Sequence, residues 1–140
     1  MRKVILLIIT VGLFLQGCGG LGFAYKKHLV GNYYLIAVDV KENICVSYSD
    51  DNNSYWNITG ERVYEAGCNN DFIIAKAYQS CDKDVTEYYL ISINDGQDSL
   101  KVQYEKFGPL TKEDFERKKI ELKVSDTIHF EKLWTWESEE

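Results

Sequence analysis

Two histidines are all the imidazole this 140-residue chain has. No Cys-x-x-Cys pair, Walker loop, G-x-S-x-G or H-E-x-x-H motif occurs in it. Those absences remove the usual signals for a zinc site, a phosphate cradle, a nucleophile elbow or a metalloprotease, so neither a metal nor another cofactor is expected. No apolar run reaches the roughly 20 residues of a spanning helix. Neither an internal repeat nor a low-complexity segment is present. Basic charge is also short: 16 Lys and Arg stand against 22 Asp and Glu, a net −6. An acidic chain is a poor partner for nucleic acid or for anionic lipid bound through charge.

What is present begins at the N-terminus. Arg2 and Lys3 precede an apolar run from Val4 to Leu15, and Leu15-Gln16-Gly17-Cys18 follows. This order reads as a secretory leader over residues 1–17, ending in a small residue before the cut. It resembles the lipobox of bacterial lipoproteins, which implies that Cys18 is acylated and becomes the mature N-terminus. Several acyl chains anchor stably where one is marginal, so the membrane is the first partner expected. By the same resemblance, Gly19 in place of an Asp implies sorting to the outer membrane of a two-membrane cell. In a one-membrane cell it implies the outer face of the plasma membrane. Residues 18–22 form a short glycine-rich tether, residues 23–136 read as a single β-rich domain, and residues 137–140 as an acidic tail.

Export makes disulfides permissible. With Cys18 assigned to lipid, Cys45, Cys68 and Cys81 remain, an odd number that allows one bridge and one free thiol. In an antiparallel meander Cys45 and Cys81 fall at one pole and Cys68 at the other, so Cys45–Cys81 is the bridge expected. Strand-like segments run over Val30–Val40, Ile44–Ser49, Tyr55–Ile58, Arg62–Ala66, Phe72–Tyr78, Glu87–Ile93 and Leu100–Tyr104. Thr111 with Asp114 approximates a capping box, and Leu110 with Phe115 a hydrophobic staple, predicting a helix near 111–123. A last strand, Thr127–Leu133, follows. The fold expected is mainly β (α+β): an antiparallel meander curled into a sandwich or partial barrel, with one C-terminal helix.

The succession Gly31-Asn32-Tyr33-Tyr34-Leu35, then Asp39, then Asp71-Phe72-Ile73-Ile74-Ala75-Lys76 and Tyr88-Tyr89-Leu90-Ile91 resembles a group of small bacterial lipoproteins known as a domain of unknown function. The likeness spans residues 23 to 133. It implies one exported domain and brings no catalytic residues with it.

Aromatic content is the unusual term: ten Tyr, three Trp and six Phe. Neighbours in a strand point to opposite faces, so Tyr33-Tyr34, Tyr55-Trp56 and Tyr88-Tyr89 each send one ring outward. Tyr33, Tyr55, Trp56, Tyr88, Trp134 and Trp136 are therefore candidates for a surface that binds an envelope protein or glycan; packing across strands is the competing use of the same rings. Asp50-Asp51, Asp82 with Asp84, and Asp95 with Asp98 supply carboxylates for an alternative, an envelope hydrolase or hydrolase inhibitor. A purely structural lipoprotein is the third reading.

Overall fold

A computed structural model describes residues 22–51, 53–79, 82–93 and 104–135. Among these residues nine strands form two antiparallel sheets. The first has the order β1 (Tyr25–Val30), β2 (Tyr33–Ala37), β3 (Cys45–Tyr48), β4 (Trp56–Asn57). The second runs β8 (Tyr104–Leu110), β7 (Asp82–Ile93), β6 (Phe72–Gln79), β5 (Val63–Cys68), β9 (Glu131–Lys132). One helix, α1 (Lys112–Glu121), lies between β8 and β9 in sequence. Among the described residues the expected antiparallel sandwich with a single α-helix is the architecture found, and neither sheet closes into a barrel.

Two alternation patterns create three layers. Tyr33, Leu35 and Ala37 of β2, Val46 of β3 and Ile44 just before β3 face the second sheet. There they meet Ile73, Ala75 and Ala77 of β6 with Tyr89 and Ile91 of β7. The intervening residues Ile74 and Leu90 point to the other face, where Phe115 of α1 covers them together with Val124 and Ile128. A central strand carrying core residues on both faces reads as a continuous apolar run. Phe72-Ile73-Ile74-Ala75 is such a run.

The helix begins with the chemistry its sequence announced and ends with a cap the sequence reading did not include. Thr111 accepts a hydrogen bond from the Asp114 amide at 3.2 Å, the N-cap contact. At the other end Lys123 adopts φ +56°. The Lys123 amide then reaches the Ile120 carbonyl and the Val124 amide reaches that of Lys119, the Schellman arrangement. Ile120, off the apolar stripe in the sequence, is 79% exposed.

Three elements differ from expectation. Val30–Val40 is not one strand: a turn at Gly31 (φ +52°) divides β1 from β2. The strand expected at Leu100–Tyr104 lies outside the described residues except for Tyr104; among those residues β8 runs on from Tyr104 to Leu110, where no strand was expected. Pro109 is tolerated there because β8 is the sheet's edge and pairs only with β7. The last strand shrinks to Glu131–Lys132, paired with Glu65 and Ala66.

Candidate functional site

The two sheets part at the pole formed by the β1–β2 turn and the β5–β6 turn, leaving a cleft of about 370 Å³. Val30, Gly31, Asn32, Tyr33, Tyr48, Asn70 and Ile93 line it. Each wall is fixed. His28 Nε2 lies 2.7 Å from the Gly31 carbonyl oxygen, and the Ser49 amide donates to Asn32 O at 2.9 Å. On the far wall the Asn69 side chain accepts from the Asp71 and Phe72 amides, and the Ile93 amide donates to Asp71 O. A pocket whose walls are already hydrogen-bonded loses little freedom when it fills.

Its floor is aromatic. The Tyr33 and Tyr48 rings meet edge-on at 5.4 Å, and Tyr104 lies 6.3 and 6.4 Å from the two. Trp56 stacks on Tyr48 at 6.2 Å with an interplanar angle of 27° and is 51% exposed. Rings beside the Asn32 and Asn70 amides combine an apolar face with polar groups that can orient a ligand.

Of the expected binding surface, the structure brings together Tyr33 and Trp56, bridged by Tyr48. It does not bring in the others. Tyr33 itself is 3% exposed, a floor residue and not a platform. Trp134 is buried, its Nε1 donating to Val63 O at 2.8 Å and its ring against Tyr78 at 5.6 Å. Tyr88 faces Phe115 at 5.1 Å, because the outer side of the second sheet carries the helix and not solvent. Tyr55 sits elsewhere, against Phe23 and Tyr34 on the outer face of the first sheet. Trp136 lies outside the described residues, as do Cys18, Cys81, Asp95 and Asp98. Tyr48 and Tyr104 were missed; the alternation of Ile44, Val46 and Tyr48 was the available signal.

Among the described residues Cys45 and Cys68 are free thiols; Cys81, the partner expected for Cys45, lies outside those residues. Val46 faces the second sheet, so its neighbour Cys45 points to the outer side of the first. Burial, with Glu61 adding to it, pushes the Cys45 thiol up to about 11. Burial raises Cys68 as well, which is the opposite of an activated nucleophile.

The carboxylates serve local turns. Asp51 accepts from the Asn53 and Ser54 amides, which hold its carboxyl below the usual range. Asp82 accepts from the Asp84 amide. Among the described residues no three His, Cys, Asp or Glu side chains group as metal ligands, and no helix is long and apolar enough to cross a membrane.

These features define a two-sheet antiparallel sandwich, helix-backed on one side, with a ring-floored cleft at one pole. The chain belongs to the family described as Protein of unknown function (DUF3997), whose model matches residues 30–134. No curated protein matches the chain, and no solved structure does.

Proposed function

We propose that this protein is a lipid-anchored module of the cell envelope that binds a partner in the polar cleft, with a saccharide as the chemistry the cleft fits best. The observation that carries this reading is the hydrogen-bonded, ring-floored cleft beside Trp56. Sugar rings present apolar C–H faces that lie on aromatic planes, while their hydroxyls need amide partners such as Asn32 and Asn70. Export and anchoring are supported by the basic n-region, apolar run and Leu15-Gln16-Gly17-Cys18 order. The outer membrane of a two-membrane cell, or the outer face of a single one, is the proposed location.

Titrating the full chain with tri-N-acetylchitotriose while following tryptophan emission tests the cleft. Saturable change in the native protein, lost in Trp56→Ala and Tyr48→Ala, is the expected result. Unchanged binding in both variants removes the cleft from the function. Palmitate labelling that Cys18→Ser abolishes is the expected outcome for the anchor.

A further inference from the structure

The outer face of the first sheet carries a second aromatic group, distinct from the cleft. Phe23 and Tyr55 meet edge-on at 5.2 Å, Tyr55 and Tyr34 at 5.4 Å, and His28 lies 5.1 Å from Tyr34. Lys26 Nζ sits over three of these rings, 5.5 Å from Phe23, 5.5 Å from Tyr34 and 4.9 Å from Tyr55. Among the described residues, Phe23, Val38 and Val40 are large hydrophobic side chains left exposed on this face or its flanks, whereas Trp56 belongs to the cleft side. The opposite side of the molecule is of another character. There α1 presents Glu113, Glu116, Arg117 and Glu121, tied by ion pairs such as Arg117–Asp114 and Lys118–Glu121.

We propose that the outer face of the first sheet rests on the lipid surface, with Phe23, Tyr34, Tyr55 and Lys26 at the headgroup level. Rings with a polar tip and a lysine whose stem lies on apolar surface suit that boundary. The occupant follows from where the described chain begins. Gly22 and Phe23 stand at this face, and Cys18 is only four residues earlier, at most about 14 Å of extended chain. A domain held that closely must turn one side to the bilayer, and this is the side with apolar rings beside the attachment point. The helix layer then faces away. Charge contributes little, since the chain is acidic; the acyl anchor supplies the affinity and the rings set the orientation. The proposal rests on lipidation at Cys18, as proposed above.

The processed full chain, reconstituted in phosphatidylcholine–phosphatidylglycerol vesicles with brominated acyl chains, tests it. Tyr55→Trp and Ile120→Trp each add one emitter, on the proposed lipid side and on the helix. The emission added by Tyr55→Trp should be quenched several-fold more strongly than that added by Ile120→Trp. Unsubstituted protein gives a second readout: amide exchange at 55–57 should slow on vesicles relative to the unacylated Cys18→Ser form, with no slowing at 112–121. Flotation with the vesicles but equal or reversed quenching overturns the orientation and leaves the anchor standing. Failure to float, or flotation unaltered by Cys18→Ser, overturns the anchor and the orientation with it.

Discussion

Trp134 Nε1 donates to the carbonyl oxygen of Val63, 2.8 Å away and 71 residues earlier in the chain. That bond, with the Leu133 amide on Tyr64 O, docks the last described residues on the first two residues of β5. Trp134→Phe keeps most of the buried ring and leaves a buried carbonyl short of one donor. Urea titration should show a loss of about 1–3 kcal/mol. A loss within error would mean that the bond contributes nothing net.

Gly67 sits where β5 passes beneath the chain before β9. A Cβ there would collide with the carbonyl of His129, a backbone group that cannot swing aside. Gly67→Ala should therefore destabilise by roughly 2–3 kcal/mol, through displacement of the final segment. Wild-type stability in that variant would show that the segment adapts freely.

The two ends of α1 predict effects of opposite sign. Thr111→Ala removes the N-cap contact with the Asp114 amide and should cost about 1 kcal/mol. Lys123→Gly relieves a non-glycine residue at φ +56° and should add about 0.5–1 kcal/mol. Thermal unfolding followed by circular dichroism checks both, and a common sign would contradict the capping geometry.

Alkaline pH should unfold the domain in two overlapping steps. Burial raises Cys45 from 9.0 to about 11, and burial with the neighbouring Glu87 raises Tyr89 from 10.0 to about 12. A group whose folded pKa is raised stabilises the fold fully below its unfolded value and loses that contribution as pH climbs to the folded one. Urea midpoints should accordingly decline from pH 9 upward, and Cys45→Ala should flatten the earlier part of the decline. Acid acts on a different set: Asp39 and Asp51, held below the usual range by amide donors, lose their contribution as pH falls through the carboxylate region.

Much of the fold was legible because its strands alternate plainly. Ile44, Val46 and Tyr48 shared a face in the sequence and share one in the sheet. Thr111 and Asp114 located the helix start to the residue. Strand β1 was hidden because Lys27 occupies the middle of its inward set, between Tyr25 and Leu29. The ion pair of that lysine with Glu131 at 2.7 Å, absent from any local pattern, makes the position tolerable. Strand β8 was hidden by Gly108-Pro109, which reads as a turn unless the strand is known to be an edge. The cleft was only half legible. Alternation says that one ring of each aromatic pair turns inward, but not which face a helix will cover, so Tyr33 and Tyr88 were placed outward. The meeting of Tyr48 and Tyr104, 56 positions apart in the numbering, depends on two sheets docking, which no window of sequence contains.

The Lys27–Glu131 clasp has a practical corollary. Among the described residues it joins the first strand to the last. Loosening either of these two strands therefore releases a restraint on the other, although more than a hundred positions separate them in the sequence.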